Sequence, residues 1–123
     1  MTSSSAGPVT RRWRYYRTET GATPAKKFLD GLDDRDRDAV RAAMQVVRVE
    51  GVAGARHLRG DVYEVRAARA SRAWRVLFAT EGGMSQVLLA VTAFEKKTTK
   101  TPSTELLLAE RRLNDWRRRA RTS

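Results

Sequence analysis

Apolar residues return at helical spacing in three stretches of this 123-residue chain. A short helix is expected from Pro24 to about Leu32, because proline suits the first helical position. A longer helix is expected from Asp33 or Asp34 to about Glu50, with acidic side chains in its first turn, where they complement the helix dipole. A final helix is expected after Pro102. The apolar stripes that should face a core are Val40, Ala43, Met44 and Val47 in the second helix and Leu106, Ala109, Leu113 and Trp116 in the last.

Elsewhere the pattern alternates, which favours strands. Trp13 to Arg17 predicts a short first strand, and Val62–Arg66, Arg72–Thr80 and Met84–Phe94 predict an antiparallel meander. The last of these segments is apolar on both faces, so we expect it to be the central strand. The order β-α-α-β-β-β-α predicts an α+β fold, in which a helical hairpin and a C-terminal helix surround a mostly antiparallel sheet. We expect one sheet face to be covered and the other to form a groove.

Length and composition indicate one small domain. Residues 1–10 begin with a Ser- and Gly-containing stretch and predict a disordered tail, and residues 11–123 predict a single domain. Cysteine is absent from the sequence, which excludes disulfides, zinc–cysteine sites and thiolate nucleophiles. No apolar run approaches the roughly 18 residues of a membrane span, and the first eight residues lack signal-peptide features. We therefore expect a cytoplasmic protein.

Positive charge is in large excess. The chain has 25 Lys and Arg against 14 Asp and Glu, a net charge of +11. Residues 24–51 balance six basic against six acidic side chains, so the excess lies in the other segments. Such a surface attracts polyanions, of which nucleic acid is the commonest. The alternative is a basic protein without a special partner.

Candidate chemistry concentrates on one face of the predicted meander. Glu64 and Arg66 share a face because side chains alternate along a strand, and Arg75 points away from its aromatic neighbours. In the natural register of the hairpin, Arg66 and Arg75 converge and form a basic groove that contains an acid. An exposed cross-strand ion pair is the plainer interpretation. Further basic side chains at the predicted rim are His57, Arg59, Lys96 and Lys97.

Other chemistries find no support in the sequence. It contains no P-loop, dinucleotide fingerprint, metalloprotease helix or nucleophile elbow. The acidic alternation at 33–38 lacks the glycine and terminal glutamate of a calcium loop. We expect neither a metal nor another cofactor.

Four sequence blocks together are typical of a known family. They are Leu-Arg-Gly-Asp-Val-Tyr-Glu-Val-Arg at 58–66, Trp-Arg-Val-Leu-Phe at 74–78, Phe-Glu-Lys-Lys-Thr-Thr-Lys-Thr-Pro at 94–102 and Ala-Glu-Arg-Arg at 109–112. In this order and spacing the chain resembles the RelE/ParE superfamily of type II toxins, and most closely its phage-derived HigB-like branch. The resemblance runs from about Trp13 to Trp116.

The resemblance implies the same element order and a toxin that cuts messenger RNA in the A site of the 70S ribosome without metal. It also implies a cognate antitoxin, often a helix-turn-helix protein encoded beside the toxin. By position, Arg66 and Arg75 match the functional basic residues of the meander, and Lys96 and Lys97 match the basic loop. The expected RNA contacts are His57, Arg59, Lys100, Arg117 and Arg118.

The implied reaction constrains the roles of these groups. Attack of an RNA 2′-hydroxyl on the adjacent phosphorus builds negative charge, which guanidinium groups stabilise but cannot deprotonate. Glu64 is the best-placed candidate base, with Glu95 and His57 as second choices, and Lys96 or Lys97 is the candidate proton donor. Two alternatives remain, a ParE-like toxin that poisons DNA gyrase and a non-catalytic nucleic-acid-binding module.

Overall fold

Five strands form one mixed sheet, and α-helices pack on both of its faces. The computed structural model describes residues 10–67, 72–97 and 100–122, so the predicted tail lies outside it except for its last residue. The strands are β1 (Arg12–Tyr15), β2 (Arg56–Arg59), β3 (Val62–Arg66), β4 (Trp74–Glu81) and β5 (Val87–Glu95). The helices are α1 (Pro24–Asp30), α2 (Asp34–Glu50) and α3 (Ser103–Thr122), and short 3-10 turns cover Gly51–Gly54 and Gly83–Ser85. The α+β prediction is confirmed.

The strand order is β1-β5-β4-β3-β2, with β1 parallel to β5 and every other pair antiparallel. The predicted meander is therefore present as β3-β4-β5, but the prediction missed β2, which extends the meander by one strand. The expectation that the last apolar strand is central was also wrong, because β4 occupies the middle and β5 lies between it and β1. Both β4 and β5 are buried on their two faces, so an apolar pattern on both faces cannot tell which of them is the central strand.

Two apolar layers hold the helices to the sheet. The helices α1 and α2 cover one face, with a core made of Leu29, Val40, Met44, Val47, Val65, Trp74, Val76, Phe78, Leu88 and Ala90. The helix α3 covers the other, with a core made of Tyr16, Val62, Leu77, Ala79, Leu89, Val91, Phe94, Ala109 and Leu113. The prediction of an open groove along the second face was wrong, because the apolar stripe of α3 needs that face for its own burial.

Both ends of α2 are fixed by local contacts. Asp33 caps the helix by accepting a hydrogen bond of 2.9 Å from the backbone N–H of Asp36. Gly51 ends it with a φ of 72°, and a Cβ atom there would lie 2.8 Å from Nη2 of Arg11. These contacts confirm the predicted bounds of this helix. Across the described ranges, no helix is long and apolar enough to cross a membrane.

Candidate active site

Strand register brings three arginines and a glutamate to the face that α3 covers. Arg66 lies directly opposite Arg75 across the β3–β4 pair. On the other side of β3, Arg56 lies opposite Glu64. Opposite residues share a face, and so do residues two apart on one strand. The β3–β4 register is thus the one predicted from the sequence, in which Arg66 and Arg75 lie side by side.

Exposed arginines surround a buried ion pair at this site. Glu64 is fully buried and Arg75 is 9% exposed, whereas Arg56 and Arg66 are exposed. Oε1 of Glu64 lies 3.9 Å from Nε of Arg75, which is an electrostatic contact and too long for a hydrogen bond. Nη1 of Arg75 donates to the carbonyl oxygen of Trp74 at 2.9 Å. The buried carboxylate therefore serves as a counter-ion beneath a basic surface.

A residue just before α3 donates to the other oxygen of this carboxylate. The hydroxyl of Thr101 donates to Oε2 of Glu64 at 2.5 Å. Thr101 is thereby fastened to the sheet at the arginine cluster.

The charges of the cluster influence one another. Burial lowers the pKa of the Arg75 guanidinium, Glu64 raises it, and the positive charges of Arg66 and Arg56 lower it further, so that the pKa is below its usual value. A guanidinium nevertheless stays protonated at neutral pH. Three cations and one anion leave a net positive charge of about two in this cluster, which suits the binding of a phosphate.

The lysines after β5 lie in two different environments. The backbone N–H of Lys96 donates to the carbonyl oxygen of Ala73 at 2.7 Å, and its side chain is largely buried. Lys97 is exposed, with Nζ 3.9 Å from Oε1 of Glu95. Lys100 is exposed as well. Positions 98 and 99 of the predicted basic loop lie outside the described residues.

Two candidate bases lie on the opposite face of the sheet. His57 is paired with Tyr63, its ring centre is 5.0 Å from that of Tyr63, and its Nε2 is 2.8 Å from the Gly60 carbonyl oxygen. Glu95 is opposite Trp74, whose side chain belongs to the core beneath α1 and α2. Neither residue joins the arginine cluster.

Three of the predicted RNA contacts are engaged within the chain. Arg59 donates to both carboxylate oxygens of Glu110, at 3.2 and 2.6 Å, and this pairing raises the pKa of Arg59. Arg117 donates to Glu81 and Asp61, and Arg118 pairs with Asp115 one turn earlier on α3. All three guanidinium groups therefore already have carboxylate partners within the chain. Their RNA-binding roles stay predictions.

Two members of the site were missed from the sequence. Arg56 belongs to β2, the strand that the prediction missed. The pair Gly60-Asp61 could have revealed this strand, because a Gly-Asp pair between two alternating segments is a hairpin signal. Thr101 lies within the family block at 94–102, but no local sequence pattern links it to Glu64, which is 37 positions earlier. No group of three His, Asp or Glu side chains within the described ranges could hold a metal ion.

Comparison with known proteins identifies the family of this chain. Residues 27–114 match the profile of the family described as phage-derived protein Gp49-like. Over 109 residues the chain is 36% identical to "Probable endoribonuclease HigB1" of Mycobacterium tuberculosis strain CDC 1551 / Oshkosh, which covers 86% of this chain and 85% of the relative. The protein of that name in strain ATCC 25618 / H37Rv gives the same figures. The predicted resemblance is confirmed, and the chain belongs to the phage-derived Gp49-like family, among the RelE-like toxins of the HigB type.

Proposed function

We propose that this chain is the toxin of a type II toxin–antitoxin pair and an endoribonuclease that cuts messenger RNA in the ribosomal A site. Family membership and the endoribonuclease activity named for its relatives support the toxin and endoribonuclease assignments. The observation that carries the proposal is the pairing of Arg66 with Arg75 above the buried Glu64. The toxin acts in the cytoplasm on the 70S ribosome, and a cognate antitoxin of the helix-turn-helix kind neutralises it.

The cleavage uses the RNA as its own nucleophile. The 2′-hydroxyl attacks the adjacent phosphorus, the bond from phosphorus to the 5′-oxygen breaks, and a 2′,3′-cyclic phosphate and a 5′-hydroxyl form. Negative charge grows on the non-bridging oxygens during this step. The exposed Arg66 and Arg56 contact the phosphate, and Arg75 adds a fixed positive charge from beneath. This stabilisation requires no metal ion, because guanidinium groups are permanently charged and aimed in advance.

Proton transfer is assigned to the remaining groups of the site. Lys96 or Lys97 donates the proton that the leaving 5′-oxygen needs. Glu64 is fully buried and Thr101 occupies one of its two carboxylate oxygens, so it can accept a proton from the 2′-hydroxyl only if the site opens to admit that group. We therefore assign Glu64 first to the positioning of Arg75.

The test is a defined translation reaction in which messenger RNA ends are mapped by primer extension, with and without ribosomes. We expect new 5′ ends within codons only when ribosomes are present. The R66A/R75A double variant should lose these ends, while R35A/R111A, which removes two exposed arginines elsewhere, should keep them.

The other outcomes are equally informative. Cuts on naked RNA would remove the ribosome from the mechanism and keep the enzyme. Intact RNA together with inhibited DNA supercoiling by gyrase would overturn the proposal in favour of a ParE-like toxin. Intact RNA that is bound with unchanged gyrase activity would indicate a non-catalytic binding module.

A further inference from the structure

The strand β1 forms one edge of the sheet and directs part of its backbone outward. The backbone N–H groups of Arg12 and Tyr16 donate to the carbonyl oxygens of Gln86 and Ala90, each at 2.9 Å, on the β5 side. The N–H and C=O of one strand residue point to the same side, and successive residues alternate. Trp13 and Tyr15 therefore direct these groups away from β5. Within the described chain, neither has a main-chain hydrogen bond on that outer side.

A basic groove of about 310 Å³ runs beside this edge. Its lining comes from β1, from the start of α1 and from the last turns of α3. Among the described residues, four cationic side chains and no carboxylate line it; the four are Arg14, Arg17, Lys26 and Arg119. Lys26 and Arg119 pair with acids outside the groove, at 2.7 and 2.9 Å, whereas Arg14 and Arg17 are exposed.

One of the cations in the groove is held in place by an aromatic ring. The guanidinium carbon of Arg14 lies 5.1 Å from the ring centre of Trp116, a cation–π contact that holds the cation against α3. The arrangement is thus a row of backbone donors and acceptors beside fixed positive charges.

These two features suit one kind of ligand. An extended peptide can add to a sheet edge through main-chain hydrogen bonds, and carboxylates on such a peptide would meet the arginines. An RNA strand would use the charges and leave the backbone groups of the edge unused. Resting on the proposed toxin–antitoxin function, we propose that an extended acidic segment of the cognate antitoxin adds to β1 as a further strand, with its carboxylates facing Arg14 and Arg17.

The proposed surface is separate from the cleavage site. Two strands lie between β1 and β3, so these strands are about 14 Å apart at the usual spacing. Changes at Arg14 and Arg17 therefore leave the arginine cluster in place, and antitoxin binding can be measured without RNA. A purely protective role for basic residues on an edge strand predicts no effect on binding.

The experiment uses the purified chain and the antitoxin encoded beside it. The R14E/R17E variant should raise the Kd of the complex at least tenfold, while R35E/R111E, with the same change in net charge, should stay within threefold of the parent. Hydrogen–deuterium exchange on the unmodified proteins provides a measurement that does not depend on folding of a variant. The outward amides of Trp13 and Tyr15 should exchange at least tenfold more slowly in the complex.

Three results would overturn the inference. The first is equal loss of affinity in both double variants, and the second is edge amides that remain unprotected in the complex. The third is unchanged antitoxin affinity in R14E/R17E with weaker sedimentation on ribosomes, which would make the groove an RNA contact. Absence of cleavage alongside protected edge amides would instead contradict the endoribonuclease proposal and leave the strand addition intact.

Discussion

Thr101 donates its hydroxyl to the buried Glu64 across 37 positions of the chain, at 2.5 Å. A buried carboxylate is costly unless it is hydrogen-bonded and its charge is balanced. Thr101 supplies the hydrogen bond to Oε2, and Arg75 supplies the opposite charge near Oε1, which has no hydrogen-bond partner in the described chain. One carboxylate therefore joins the segment before α3 to the arginines of the sheet.

Removal of the Thr101 hydroxyl should loosen this junction. Thr101→Val keeps the shape of the side chain but leaves Glu64 without its donor, so the free energy of unfolding should fall by about 1–3 kcal/mol. The single-turnover cleavage rate should fall as well, because the lysines before Thr101 lose their anchor. Urea unfolding and a single-turnover assay measure the two effects. Thr101→Ser retains the hydroxyl and should behave almost like the parent, and a stable, fully active valine variant would contradict the assignment.

Two substitutions at Glu64 separate a positioning role from a base role. If Glu64 positions Arg75, both Glu64→Gln and Glu64→Ala should slow single-turnover cleavage about tenfold and keep the acid limb of the pH–rate profile. A general base contributes on the order of 10²–10⁴-fold, and its removal eliminates its own limb from that profile. The measurement is the cleavage rate between pH 4 and pH 9. An unchanged rate at all pH values would contradict both roles.

Substitution of the exposed member of the arginine pair tests charge stabilisation. Arg66→Ala removes a side chain with little packing, so the fold should persist while single-turnover cleavage falls about 10²–10³-fold, the range for loss of one fixed donor. Arg66→Lys should recover part of the rate, because it restores the charge without the planar fork. A rate within twofold of the parent in Arg66→Ala would exclude this residue from the reaction.

The parts of the fold that depend on local patterns could be predicted from the sequence. The Asp33 cap, the end of α2 at Gly51 and the alternation of β3 and β4 each involve residues close in the chain, and all three agree with the structure. The covered second face and the middle position of β4 depend on which surfaces meet in three dimensions. Hydrophobic periodicity shows that a face is buried but does not identify the element that buries it.

The candidate site, like the fold, has a part that local sequence patterns predict and a part that depends on contacts between distant residues. The opposition of Arg66 and Arg75 followed from alternation in a hairpin, which is local. The contacts of Thr101 and Arg117 join residues 36 to 56 positions apart, and the sequence pattern carries no sign of them. The sequence therefore placed Arg117 among the expected RNA contacts, whereas two carboxylates engage it in the structure.

Arg117 should prove to be mainly structural. It donates to Glu81 at 2.8 Å and to Asp61 at 2.8 Å, which ties α3 to the sheet and to the turn between β2 and β3. Arg117→Met should lower the free energy of unfolding by about 1–2 kcal/mol, because two charge-assisted contacts are lost. Arg118→Met, which breaks only an exposed pair within α3, should change it by less than about 0.5 kcal/mol. Urea unfolding provides both values. A direct RNA contact would instead appear as a weaker salt dependence of ribosome binding in the Arg117 variant.

The loss of stability on acidification should depend in part on Asp115. Its carboxylate accepts a hydrogen bond of 2.6 Å from the hydroxyl of Tyr16 and pairs with Arg118 and Arg119, and these contacts lower its pKa from 3.8 to about 2. A carboxyl group with a lowered pKa in the folded state stabilises the fold above its ordinary pKa, and this contribution is lost as the pH falls from about 4 to about 2. Asp115→Asn should therefore lower the Tm by several degrees at pH 7, and the difference from the parent should shrink steadily below pH 4.

Thermal unfolding at pH 7, 4, 3 and 2 measures that convergence. Asp38→Asn, which removes an equal charge from the exposed side of α2, provides the matched control and should show no such narrowing. A Tm difference for Asp115→Asn that is as large at pH 2 as at pH 7 would mean that side-chain shape, and not the ionised carboxylate, holds Tyr16 against α3. Because Tyr16 follows β1 directly, the same series reports how firmly the end of α3 is fastened beside the proposed antitoxin groove.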